Sequence, residues 1–160
     1  MQTENKILIY TDGAARGNPG PAGWAAVFIM GKEMLELCGK VPHATNNQME
    51  LAAPIEALKH IKNNSINGGD IEIISDSKYV ILGITEWMPN WQKNGWRNAA
   101  KKPVVNRELW EELYLLNQEL KPKWTYVKGH HEDVHNNRAD EIATNLAGGE
   151  PVELKTPNVG

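Results

Sequence analysis

The sequence predicts an α/β fold, a mixed sheet with helices packed on it. Three observations carry that expectation. Three strand-like runs open the chain with only turn signals between them, which suits a meander. Two later strand-like runs alternate with helix-patterned segments, which suits βα units joined to the same sheet. No internal repeat divides the 160 residues, a length that one domain with a full core accommodates.

Taken in order, residues 6–11 (KILIYT) are apolar and β-branched and end at Asp12, so they read as a strand. The Gly/Pro-rich GAARGNPGP marks a turn. Residues 23–30 (GWAAVFIM) form a second strand, and Gly31-Lys32 a hairpin turn into a third at 33–39. After Pro42, Thr45, Asn46 and Asn47 are N-cap candidates for a helix carrying Leu51, Ile55, Leu58 and Ile61. Pro54 lies inside that pattern, four residues after Glu50; it removes the bond to the Glu50 carbonyl and predicts a bend. A polar loop leads to a strand at 71–75 (IEIIS), again ending at an aspartate, Asp76. Residues 77–86 read as helix, with a basic, Trp-rich stretch after it. An amphipathic helix at 107–119 carries Leu109, Leu113 and Leu116 and is stopped by Pro122. A last strand at 124–127 and a last helix at 137–146 complete a domain over 1–148. The Pro-, Gly- and polar-rich 149–160 reads as a flexible tail.

Composition narrows the function classes. Hydrophobic content of 41% and charged content of 23% are those of a globular protein, and no apolar run approaches a membrane span. The polar opening lacks a signal-peptide pattern, and the single Cys38 excludes an intramolecular disulfide and a multi-cysteine zinc site. A reducing cytoplasm is the expected setting, and a monomer the expected state. Net charge is −3, which alone argues against a nucleic-acid partner. Its distribution argues the other way. Between Glu86 and Glu108 no acidic residue occurs, while Lys93, Arg97, Lys101, Lys102 and Arg107 do, interleaved with Trp87, Trp91 and Trp96.

The acidic residues suggest a site. Asp12 and Asp76 each end a predicted strand, so neighbouring strands would bring both to one sheet edge, where α/β proteins bind ligands. Glu50 falls in the first turns of one helix and Asp140 in the first turn of another. Carboxylates gathered without cations raise one another's pKa, so such a cluster implies bound metal, and all-oxygen ligands favour Mg²⁺ or Mn²⁺. Each residue also has a structural reading. Asp12-Gly13 fits a turn start, Asp76-Ser77 an N-cap, Asp140 after Asn137 a capping box, and Glu50 an exposed helix position. Spacing alone does not choose between the two.

Local sequence chooses. TDGAARGNPGPAGWA, TNNQMELAAPIEAL, SDSKYV, WMPNWQKNGWRNAAKKPVVNRELW and WTYVKGHHEDVHNNRADEIA resemble, in order, the motifs of the type 1 ribonuclease H (ribonuclease HI) family. The resemblance implies a ribonuclease H-like fold, with a five-stranded sheet in the order 3-2-1-4-5 and helices on both faces. It implies an endonuclease cutting the RNA strand of RNA–DNA hybrids, with Asp12, Glu50, Asp76 and Asp140 as catalytic metal ligands for Mg²⁺. The family's histidine, ten residues before its last aspartate, falls on His130, a catalytic residue for proton transfer or release. The neighbouring His131 and His135 depart from that pattern. They also fit a zinc loop, but no cysteine accompanies them, and they read as solvated loop residues.

By the same resemblance, Asn18, Asn46 and Asn47 suit the 2′-hydroxyl side of the hybrid, while Gly17 and Gly20 would let the backbone approach it. Lys78 stands where many relatives carry glutamine and would contact a phosphate. The basic stretch resembles the family's protrusion that grips the DNA strand, with Lys93, Arg97, Lys101 and Lys102 as contacts and the tryptophans as its packing. Two other classes compete: a DNA-processing nuclease or transferase of the same fold, and a non-catalytic hybrid-binding module.

Overall fold

The computed structural model describes residues 6–64, 70–128 and 133–155. Strands β1 (Ile7–Ala15), β2 (Gly20–Met30) and β3 (Glu33–Ala44) form the meander, and β4 (Ile71–Ser75) and β5 (Lys123–Tyr126) extend it to five strands ordered β3-β2-β1-β4-β5. The β1–β2 and β2–β3 pairs are antiparallel, while β1–β4 and β4–β5 are parallel. The expected sheet and order are therefore those observed.

Alternation along the strands gives the sheet two apolar faces. Ala26 and Phe28 of β2 join Leu51, Ile55 and Leu58 of helix α1 (Asn46–Asn63) and Trp110, Leu113 and Leu116 of α4 (Arg107–Leu120) on one side. Ala25 and Val27 join Ala139, Ile142 and Ala143 of α5 (Val134–Ala147) on the other. Between β4 and α4 lie α2 (Lys78–Leu82), one π-helical turn (Gly83–Trp87) and α3 (Met88–Lys93). Among the described residues, no helix is long and apolar enough to cross a membrane.

Several boundaries differ from the expectation; β2 begins at Gly20 rather than at residue 23, and β3 runs to Ala44 rather than to residue 39. β1 does not stop at Thr11 but runs through Asp12 to Ala15, because β2 begins at Gly20 and pairs with it along that length. The helical run expected at 77–86 continues to Lys93, through one π-helical turn at Gly83–Trp87 and with Pro89 in the first turn of α3. The last helix begins three residues early, at Val134, capped by the Asp133 carboxylate. Pro54, where a bend is expected, lies buried inside α1, which is a single α-helix from Asn46 to Asn63.

The segment from Val152 to Lys155, expected as part of a flexible tail, is held. The Glu36 N–H donates to the Lys155 carbonyl at 2.9 Å, and the Lys155 N–H donates to Glu36 Oε1 at 2.8 Å. Val152 packs on the α5 face of the sheet.

Candidate metal centre and nucleic-acid interface

The parallel pairing of β1 and β4 ends at the Thr11–Ser75 pair. Asp12 is the next residue of one strand and Asp76 follows the other, so both carboxylates emerge at the carboxyl end of the parallel pair. Glu50 reaches them from α1, whose start is fixed by Thr45: its Oγ1 accepts from the Gln48 N–H, and Gln48 Oε1 accepts from the Thr45 N–H. Gly13 lets that helix come close. A Cβ there would overlap the Met49 backbone and lie 2.5 Å from the Glu50 nitrogen.

As a result Asp12, Glu50 and Asp76 each offer an oxygen within 4.8 Å of the other two. Asp140 is not one of this tight set. It stands exposed in the second turn of α5, near enough for its carboxyl to act on that of Asp12. Burial pushes the Asp12 carboxyl far up from the ordinary carboxylate range, and the charges of Glu50, Asp76 and Asp140 push it further. Glu50 is raised by burial and then by Asp76, although bonds from Asp12 and the Gly13 N–H oppose the shift. Asp76 is raised by burial and by Asp140, against a bond from Asn136. Among the described residues, none of the four forms an ion pair with a lysine or arginine. Carboxyl oxygens converging without a counter-charge fit a hard divalent cation, which would replace the protons they otherwise hold.

The structural readings of these residues fail one by one. Asp12 lies inside a strand rather than at a turn. Ser77, not Asp76, caps α2, its Oγ accepting from the Val80 N–H at 3.2 Å. Asp133, not Asn137, caps α5, which leaves Asp140 no capping role. Glu50 is half-buried and turned into the cluster.

The histidines divide. His130 and His131 lie outside the described residues. His135 is a residue of α5 rather than a loop, and its ring packs 5.2 Å from that of Tyr10.

Three asparagines flank the carboxylates. Asn18 Oδ1 accepts from the Asn46 N–H at 2.8 Å, and Asn46 Oδ1 accepts from the Ala15 N–H at 2.7 Å, tying the β1–β2 loop to the start of α1. Neither Asn46 nor Asn47 is the cap, since Thr45 takes that role, and both are exposed. Gly20 is required by its own loop, where a Cβ would strike the Arg16 carbonyl. Lys78 is exposed, with its Nζ 5.8 Å from the centre of the Tyr126 ring.

Lys93, Arg97, Lys101 and Lys102 are all exposed on α3 and the loop after it. That loop is built, not loose. Asn98 Oδ1 accepts from the N–H groups of Ala100 and Lys102, and Arg97 Nη1 donates to the Lys101 carbonyl at 3.0 Å. Trp91 stacks against Trp87, Trp96 and Trp110 with ring centres 5.2–6.0 Å apart, so the tryptophans do pack the handle. Sequence reading missed what wires it to α1. Gln48 Nε2 donates to Asn106 Oδ1, and Asn106 Nδ2 and Trp110 Nε1 both donate to Tyr79 Oη. Asn136, whose Nδ2 lies 3.5 Å from Asp76 Oδ2, was missed as well; only its place near the last helix start hints at it.

Known proteins share this fold and much of this sequence. The RNase H family model matches residues 4–147. Ribonuclease H of Thermosynechococcus vestitus is 50% identical over 149 residues, spanning 92% of this chain and 92% of that protein. Ribonuclease HI of Pseudomonas aeruginosa is 45% identical over 143 residues, spanning 89% and 94%. Among solved structures, LC9-RNase H1, a type 1 RNase H with the type 2 active-site motif, superposes with a TM-score of 0.79 at 25% identity, covering 95% of this chain and 77% of that one. LC11-RNase H1 in complex with RNA/DNA hybrid gives 0.66 at 28% identity, covering 89% and 97%.

Proposed function

The chain belongs to the RNase H family, and on that premise we propose that it is an endonuclease hydrolysing phosphodiester bonds in the RNA strand of RNA–DNA hybrids. The observation that carries this reading is the meeting of Asp12, Glu50 and Asp76, from β1, α1 and the end of β4, at one point. We assign Asp12, Glu50, Asp76 and Asp140 as the ligands of Mg²⁺, with Mn²⁺ as a substitute. Two such ions, held by these carboxylates, would supply the charge that activates a water and stabilises a leaving oxygen. The chain's own part is to hold four carboxylates in place before substrate arrives, three packed together and Asp140 at the open side.

His130 assists proton transfer or the release of product and metal in this reading. Asn18, Asn46 and Asn47, beside Glu50 on the α1 side, face the RNA strand and its 2′-hydroxyls. Lys78 takes a phosphate near Asp76. Lys93, Arg97, Lys101 and Lys102 take phosphates of the DNA strand, and nothing in base readout is asked of them. The protein acts as a monomer in a reducing cytoplasm, consistent with its free Cys38.

One labelled sequence, prepared as RNA–DNA hybrid, double-stranded RNA, double-stranded DNA and single-stranded RNA, tests the reading with wild type and Asp12→Asn, in Mg²⁺ and in EDTA. The expected result is Mg²⁺-dependent cutting of the hybrid's RNA strand alone, lost in the variant. Cutting of DNA would instead indicate a DNA-processing enzyme of the same fold. Tight hybrid binding without cutting would indicate a binding module.

A further inference from the structure

Asn136 is the third residue of α5, and its backbone N–H is taken by the Asp133 cap at 3.1 Å. The side chain is 2% exposed and turns toward the end of β4, where Nδ2 lies 3.5 Å from Asp76 Oδ2. Its other end is unpaired: Asn136 Oδ1 is the one buried side-chain oxygen or nitrogen among the described residues with no hydrogen-bond partner. Rotating the amide by half a turn would set one acceptor against another, so the Asp76 carboxylate dictates the orientation that strands Oδ1. Buried unpaired acceptors are rare because they cost stability. An apolar side chain would spare the fold that cost, and an amide is kept instead.

We infer that Asn136 is a positioning residue for the metal centre, holding Asp76 Oδ2 in place by its Nδ2 donor at the expense of its own acceptor. The inference rests on the nuclease reading above. The direction of its effect on Asp76 agrees, since the Asn136 bond opposes the rise that burial and Asp140 impose. Metal-ligating carboxylates oriented by a neighbouring donor are a general device, and loss of such a donor weakens metal binding more than it weakens the fold.

Calorimetric titration of the full chain with MnCl₂ alone, comparing wild type with Asn136→Leu, tests this. The variant should bind Mn²⁺ roughly ten- to a hundred-fold more weakly. Its kcat on hybrid should fall by a similar factor at fixed Mg²⁺ with KM for hybrid unchanged, and its melting temperature in EDTA should be no lower than that of wild type. A lowered melting temperature with wild-type Mn²⁺ affinity would overturn the inference and leave Asn136 a purely structural residue. If the leucine variant does not fold, Asn136→Ala, which adds no volume, is read by the same two criteria. A wild type that binds Mn²⁺ but leaves hybrid uncut would defeat the nuclease reading, while the Mn²⁺ comparison would still decide the role of Asn136.

Discussion

Asp12, Glu50 and Asp76 each carry a carboxyl that the native fold holds above its ordinary range, burial being the largest cause. The metal-free native state therefore keeps protons that the unfolded chain has released above about pH 4. Stability must then fall as pH rises from that point, because the native state binds more protons than the unfolded one. Glu36 works in the opposite sense. Burial alone would raise it, but bonds from Arg138 and the Lys155 N–H outweigh burial and leave it below the usual range, so its contribution is lost only as acid protonates it. Between pH 6 and 8 the metal-site carboxylates decide the slope. Scanning calorimetry in EDTA should give a lower melting temperature at pH 8 than at pH 6, with Mg²⁺ removing the difference. Asp12→Asn should melt several degrees higher than wild type in EDTA at pH 8 while losing cleavage, about 1 kcal/mol being worth a few degrees in a domain of this size. A melting temperature in EDTA that climbs from pH 6 to 8 in wild type would refute the assignment of these shifts. At this scale the carboxylates were legible because Asp12 and Asp76 follow apolar strand-like runs and because the motifs around all four resemble a known family. Glu36 was not: it sits in an ordinary strand pattern, and its partner Arg138 lies 102 residues away.

Elements were legible in kind and less so in their limits. The strand at 71–75 is as expected, whereas β1, α5 and the helix after Asp76 all run further than their apolar patterns do. The reason is tertiary in each case. β1 is prolonged by its partner β2, and α5 begins on a polar turn that only the Asp133 cap makes helical. At Gly83 the Trp110 ring lies so close that an added Cβ would overlap Cη2, and the π-helical turn packs on α4 there only with glycine. The loop after α3 owes its shape to backbone bonds and to left-handed residues at Trp96, Lys101 and Asn106, none of which a periodicity reveals. Because that loop is rigid, its charges are presented as a unit, and their contribution is measurable. Lys101→Ala with Lys102→Ala should raise KM for hybrid, leave kcat nearly unchanged, and reduce the slope of log binding constant against log salt by about 1 to 2. A salt slope equal to that of wild type in a filter-binding titration would remove the handle from substrate binding.

For the whole molecule, the meander followed by βα units was readable from the spacing of strand-like runs, and the strand order came from the family resemblance. What neither supplied is how the last described residues close the structure. β3 is an edge strand, and open edges invite pairing with other chains. Here the edge is engaged by the tail: the Glu36 N–H donates to the Lys155 carbonyl, the Lys155 N–H donates to Glu36 Oε1, and Arg138 Nη2 donates both to Glu36 Oε1 at 2.9 Å and to the Glu153 carbonyl at 2.8 Å. Glu36, 1% exposed, is thus the point where β3, α5 and the tail meet. Its charge is matched by a guanidinium that makes a second bond to it at 2.7 Å, a two-pronged geometry that offsets much of the cost of burial. Glu36→Gln keeps the volume but leaves Arg138 half-paired. It should cost about 2–4 kcal/mol in urea denaturation, near the lower end for breaking a buried pair because Arg138 is partly solvated. The amides of Glu36 and Lys155 should also lose their protection from hydrogen exchange, whereas the amides of β1 and β4 beside the carboxylates should keep theirs. Cleavage of hybrid at low temperature should survive, since Glu36 has no contact with Asp12, Glu50 or Asp76. If the variant instead lost Mg²⁺-dependent activity while folded, the tail clamp and the metal centre would be coupled through α5, which carries both Arg138 and Asp140.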